Sequence, residues 1–441
     1  MAMWEATLWI ACFAAIALMI YPSLYERSLA SAIAAHLCLA APFFALVSRF
    51  LVNDTSIQYV VAFGGESLPF KYRFAATWAA REGPILMWVV WLTILTWIWR
   101  KPITGKYRES IASRDFRQRI VYGFCLTLLL IAIVLNPFKE TPNFFFGAGL
   151  NELLQTDLMI IHPPLIFLAY SFCIFISAIA LAGIFTESSP GIDERILSLT
   201  RPGLFVTTLG IGLGGLWAYL LLDWGGYWAW DPVETGSFLP WLALVGISHM
   251  RTRPGKVSEK GWIGAGLVVG ALALFATLVT RAGGVWASSV HTFVTSESGT
   301  APDDAFSRMM LLKNDAVAGV EIMTYLMFIL LIIGAWLMLN RRSHHGYVSS
   351  NSPVLLLIPT IGAAAAILFG ADLYHWIPNF AIVGLVMGFV AVDKLAKPFA
   401  SVETNGWTYY RGRFVQSLLL FPVLLYILVP LGFFVLLLLV V

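Results

Sequence analysis

The chain has 441 residues, of which 59% are hydrophobic and only 12% charged. With a mean hydropathy of +0.80, this excludes a soluble domain and indicates an integral membrane protein. The formal charge of +3 gives no footing for nucleic acid, because the basic residues are spread among connections between apolar runs rather than gathered in one patch.

A bilayer core needs about 20 apolar residues per helix, and about twelve segments fit that template. They lie near residues 3–21, 30–50, 84–99, 120–135, 164–185, 203–222, 238–250, 262–280, 317–340, 353–370, 377–392 and 415–441. The expected fold is therefore all-α: one polytopic membrane bundle over residues 1–441, with short external helical loops. The first run, Met3 to Tyr21, has no basic leader and no clear small-residue cleavage site, and reads as a retained helix. The segment 238–250 is too short to span alone, so it either extends outward or lies tilted beside longer neighbours. Cys12, Cys38, Cys125 and Cys173 stand singly inside apolar runs, with no CxxC pair, so any thiol chemistry must come from a partner.

Lys and Arg mark the cytoplasmic side. Arg100, Lys101, Lys106, Arg108, Arg114, Arg117 and Arg119 fill one connection, and Arg251, Arg253, Lys256 and Lys260 another. Arg341 and Arg342 lie in a third, and Lys394, Lys397, Arg411 and Arg413 in a fourth. Counted off alternately, all four fall on one side. The connections 51–83, 136–163, 223–237 and 281–316 then face outward, together with both chain ends.

Three outward features share chemistry. His162 precedes Pro163 and Pro164, which suit the first turn of a helix, so the imidazole is expected at the outer mouth of the fifth span. Residues 223–238 form a tryptophan-rich loop, WGGYWAWDPVE, with Trp224, Tyr227, Trp228 and Trp230 beside Asp231 and Glu234. His291 follows RAGGVWASS, where Gly283 and Gly284 let the backbone approach a bulky ligand. Aromatic faces with two imidazoles suit a metalloporphyrin, gripped from both sides, with Asp231 or Glu234 as an acceptor that orients an imidazole. Tryptophans at membrane boundaries commonly act as anchors, but anchors disperse over many helix ends, whereas these cluster in one loop with an acid. A single loop histidine is more often a polar surface residue, and His249, beside Arg251 at a cytoplasmic helix end, reads on its own as a carbonyl cap. His36, inside the second span, is expected to make an interhelical hydrogen bond. A proton-translocating subunit would carry a series of mid-span charges, and only Glu321, near a span start, comes close.

The tryptophan-rich stretch resembles the WWD signature of the haem-handling superfamily that serves cytochrome c maturation. Four further stretches resemble its CcmF branch, the haem lyase subunit of the system I pathway. They are YRFAATWAAREGPILMW from Tyr72, GLNELLQTDLMIIHPPL from Gly149, WDPVETGSFLPWL from Trp230 and LVTRAGGVWASSVHTF from Leu278. The resemblance implies thioether attachment of haem to the CxxCH segment of an apocytochrome c. It implies that His162 and His291 ligate the incoming haem, with Trp224, Trp228, Trp230 and Asp231 supporting its edge. It also puts His249 in the place of a histidine that ligates a resident haem b. Implied partners are apocytochrome c, a haem chaperone that delivers haem, other maturation subunits and membrane lipid. The implied location is the inner membrane, with the site on its periplasmic face. Longer members continue with further helices, an external domain and a second intramembrane histidine. Here His375 falls outside and His344 and His345 lie in a basic connection, so either a second subunit supplies the missing ligand and external domain, the favoured split lyase, or the chain holds no haem b. The alternative is a haem transport or delivery chaperone of the same superfamily without ligation activity. No residue is assigned an acid or base role, since positioning alone suffices to add a thiol to a vinyl group.

Overall fold

The computed structural model describes residues 2–281 with short gaps, including 222–225, 227, 229–231 and 252–256, and a set of positions between 321 and 335. The segments expected at 353–370, 377–392 and 415–441 lie outside the described residues, as do His344, His345 and His375.

The described residues form a helix bundle without strands, apart from one isolated bridge between Ile57 and Glu140. The order is α1 (Ala2–Ile20), α2 (Leu24–Arg27), α3 (Leu29–Leu51), α4 (Gln58–Phe63), α5 (Phe70–Ala76), α6 (Glu82–Ile98), α7 (Ile111–Leu135), α8 (Asp157–Phe185), α9 (Ile192–Leu221), α10 (Pro232–His249) and α11 (Glu259–Arg281). Six of these, α1, α3, α7, α8, α9 and α11, are long and apolar enough to cross a bilayer, and α6 is a shorter apolar helix. The chain is an integral membrane protein. Its centre is α8, packed against α6, α7, α9 and α11, with Trp88 of α6 fully buried among Phe124, Phe167 and Tyr170.

The expected spans 3–21, 30–50, 84–99 and 262–280 match helices to within two or three residues. Others are longer than their apolar stretches. Arg114, Arg117 and Arg119, expected in a connection, lie inside α7, and Arg114 and Arg117 have 0% exposed side chains. They stay buried because every charge has a partner. Arg117 pairs with Glu109 at 2.8 Å and donates to the carbonyls of Trp99 and Lys101, while Gln118 donates to Thr96 and Trp99. Arg114 pairs with Glu26 of α2 and donates to the carbonyl of Arg100. The carbonyls past the end of α6 are thus satisfied by side chains of α7 instead of water.

The two basic connections among the described residues lie at one end of the bundle, and the other two lie outside the described residues. The backbone amide of Lys106 donates to Glu194 at 2.6 Å, and Arg251 pairs with Asp193 at 2.7 Å. At the opposite end, Asn136 donates to Glu5, Lys71 pairs with Asp157, and Gln58 donates to the Lys139 carbonyl.

Two further expectations, one of a segment and one of a single residue, are met within the bundle. The segment at 238–250 gains length outward, since α10 begins at Pro232. His36 bonds across helices: Tyr122 of α7 donates to its Nε2 at 3.0 Å, while its Nδ1 donates to the Ala32 carbonyl of its own helix at 2.7 Å. Such bonds contribute about 0.6 kcal/mol in membranes, so Tyr122→Phe is expected to lower stability by about that amount in detergent unfolding, without loss of the fold. The four cysteines are free, and Cys12, Cys125 and Cys173 are buried.

Candidate haem site at the non-basic end

His162 is not at a helix start. Thr156 caps α8 by accepting from the Leu158 amide, Asp157 occupies the first turn, and Pro163 and Pro164 lie within the helix. The imidazole therefore sits five residues, about 7.5 Å, beyond Asp157. The prolines are tolerated because one of the carbonyls they strand finds another donor. Pro163 has no N–H for the carbonyl of Met159, and the indole of Trp78 donates to that carbonyl at 2.8 Å. Trp78 is buried, at 4% exposure, with its ring edge-on to Phe74 at 4.9 Å. Its segment is held by Tyr59, which donates to the Thr77 carbonyl and accepts from the Ala80 amide.

On its other side His162 lies against α9. Nδ1 is 2.9 Å from the Gly210 carbonyl, and the ring meets Trp217 edge-on at 5.9 Å. A carbonyl can only accept, so Nδ1 carries the proton and Nε2 the lone pair. Orientation through Nδ1–H and a backbone carbonyl is the usual support for an imidazole that binds metal through Nε2. The approach to α9 depends on glycine: a Cβ at Gly214 would lie 2.7 Å from Cε1 and 3.2 Å from Nδ1 of His162. Gly214→Ala is expected to push the ring off Gly210, costing about 1 kcal/mol for the lost hydrogen bond. Thermal unfolding and haem titration together test this, and titration should move toward the behaviour of His162→Ala.

Helix α9 ends at Leu221, just before the tryptophan-rich loop, and α10 begins within its motif. Of the loop residues, Trp228 meets Phe238 at 6.0 Å, Phe238 stacks on Trp241 at 5.2 Å, and the Trp241 indole donates to Thr208 of α9 at 2.9 Å. An aromatic series thus runs from the loop down α10 and back to the helix that holds His162. Glu234 lies in the first turn of α10. Trp224, Tyr227, Trp230, Asp231 and His291 lie outside the described residues.

His249 closes α10 at the basic end, 17 residues or about 26 Å beyond Pro232, so it cannot share an iron with His162. Its Nδ1 lies 2.8 Å from the Val245 carbonyl and 3.1 Å from the Ser248 hydroxyl. Among the described residues no group of three or more His, Cys, Asp or Glu could hold a metal ion by itself.

Sequence reasoning missed one charged pair at the non-basic end. Arg281 closes α11, and its Nε lies 2.8 Å from Glu321 of the next helix, with exposures of 3% and 0%. Tyr325 donates to the same carboxylate at 2.9 Å and packs against Trp88. An arginine at the end of one span and an acid at the start of the next were the available signal.

The Cytochrome C assembly protein family model matches residues 78–290. The cytochrome c-type biogenesis protein CcmF of Escherichia coli (strain K12) is 36% identical over 267 residues, 58% of this chain and 40% of that protein. This is a CcmF-like chain. CcmF of Pseudomonas aeruginosa is 32% identical over 353 residues, 75% of this chain and 49% of that protein. A solved structure of the cytochrome c haem lyase CcmF aligns with a TM-score of 0.49 at 21% identity, over 95% of this chain and 73% of that one. The CcmF-like chain thus spans about half or less of the length of these curated relatives. The matched family region opens at Trp78 and includes His162, the tryptophan-rich loop and Arg281.

Proposed function

We propose that this CcmF-like chain is a haem lyase subunit for cytochrome c maturation in the inner membrane. Haem is its substrate, held on the periplasmic side by His162 and His291, with Trp224, Tyr227, Trp228, Trp230, Asp231 and Glu234 as the supporting shelf within residues 223–238. The single observation that carries the reading is the seat of His162, whose Nδ1 faces the Gly210 carbonyl and whose lone pair is left on Nε2.

The chemistry needs little from side chains. A cysteine thiol of the CxxCH segment adds across a haem vinyl group: the S–H bond and the vinyl π bond break, a carbon–sulfur bond and a carbon–hydrogen bond form, and nothing leaves. The chain's contribution is orientation of haem beside the thiols and exclusion of water. Release follows when the CxxCH histidine takes the iron position of His162 or His291. His249 is the candidate ligand of a separate haem b. It has the weaker support, because its contacts with Val245 and Ser248 equally suit a helix cap.

Co-expression with an apocytochrome and the other maturation components tests the proposal by scoring haem that survives denaturation on the cytochrome. Covalent haem that depends on His162 and His291 supports a lyase. Haem bound to the chain without any covalent product would make it a delivery chaperone instead.

A further inference from the structure

Two prolines follow His162 inside α8, and a proline within a helix both removes the hydrogen bond to the carbonyl four residues back and pushes that carbonyl aside. For Pro163 that carbonyl belongs to Met159, in the turn that carries His162. It lies in a buried environment, Met159 itself being 4% exposed, where an unsatisfied carbonyl is costly. Trp78 comes from a segment 81 residues earlier, and its Nε1 donates to that carbonyl at 2.8 Å. The segment is rigid on its own account. Tyr59 bonds to both Thr77 and Ala80, and Gly83 lies so close that a Cβ there would fall 1.6 Å from the Thr77 carbonyl.

We infer that Trp78 is a positioning residue for His162, its indole N–H replacing the backbone donor that Pro163 removes and so fixing the turn that aims the imidazole at its ligand. The inference deepens the proposed function and rests on it for the identity of the ligand. The geometry explains why two prolines can follow a residue that must be held precisely: they stop the helix from using its own amide, and the external segment takes over the contact. His162 is then fixed from two sides, by Trp78 through Met159 and by Gly210 through Nδ1.

A double-variant cycle in the full chain tests this, using Trp78→Phe, which keeps an aromatic ring but no donor, and Pro163→Ala, which returns a backbone N–H to Met159. Two readouts are taken. One is the absorption spectrum of added haemin, measured as the part lost in His162→Ala. The other needs no haem: the rate at which diethyl pyrocarbonate modifies His162, followed by peptide mass spectrometry. Trp78→Phe is expected to raise the modification rate about three- to tenfold, the factor set by one net hydrogen bond, and to weaken the His162-dependent haemin spectrum correspondingly. In the Pro163→Ala background the same change should have little effect on either readout. An effect of Trp78→Phe that is equal in both backgrounds, or no effect in either, overturns the inference and leaves Trp78 as packing. If Trp78→Phe alone does not accumulate, recovery of Trp78→Phe/Pro163→Ala supports the inference and failure of both overturns it. A wild-type chain whose haemin spectrum ignores His162 sinks the proposed function, while the modification rates still decide the role of Trp78.

Discussion

His162→Ala is expected to reduce covalent haem on a co-expressed apocytochrome by more than tenfold, with the chain itself still present in the membrane at near wild-type level. Disturbing a group that merely orients a metal ligand costs about 10- to 100-fold in metal affinity or activity, so removing the ligand should cost at least as much. The loss is specific because the imidazole is half-buried on the surface of α9, and the Gly210 carbonyl it leaves can find water. Stability should therefore change little. The informative control is exogenous imidazole, which can enter the space left by the alanine and occupy the same iron position. Partial recovery of covalent product with imidazole supports a ligand role. A His162→Ala chain that attaches haem at the wild-type rate would contradict it.

Arg281→Met is expected to destabilise the chain by about 3–5 kcal/mol, enough to remove most of it from the membrane fraction. The change leaves the Glu321 carboxylate, at 0% exposure, with the Tyr325 hydroxyl as its neighbour among the described residues. An uncompensated buried charge is what makes such single replacements severe, and Glu321→Leu should be severe for the mirror-image reason. The double replacement Arg281→Met/Glu321→Leu removes both charges and should recover much of the lost stability. Detergent unfolding of the three variants checks this, and a double variant worse than either single one would mean that the pair does more than neutralise itself. Activity in the double variant is then a separate question. Arg281 and Glu321 bracket the stretch that carries His291, and their ion pair fixes the distance between its two ends.

Much of this architecture is legible in the sequence because bilayer spans need continuous apolar runs, and Met3 to Tyr21 or Trp262 to Thr280 can be little else. The ends of the helices were less legible. Arg114 and Arg117 count as connection residues on charge alone, and only the carbonyls past α6 and the carboxylate of Glu109, which no linear pattern displays, explain why they are helical and buried. The same is true of α8, whose start looks fixed by Pro163 and Pro164 until a tryptophan from another segment is seen to replace the missing amide. At the candidate site, His162 stands out by residue type and neighbours. Gly210, Gly214 and Trp217 do not, since glycines and a tryptophan in an apolar span are ordinary until the helix opposite brings an imidazole against them.

The grip of α7 on the carbonyls that follow α6 bears on how the chain is made. When α6 leaves the ribosome, its trailing peptide groups lack the side chains that satisfy them in the folded bundle until residues 114–118 have been synthesised. Helix α6 is also short for a bilayer, so it gains little by entering alone. The two helices are thus built to enter the bilayer together as a hairpin, with arginine side chains drawing the turn shut behind them.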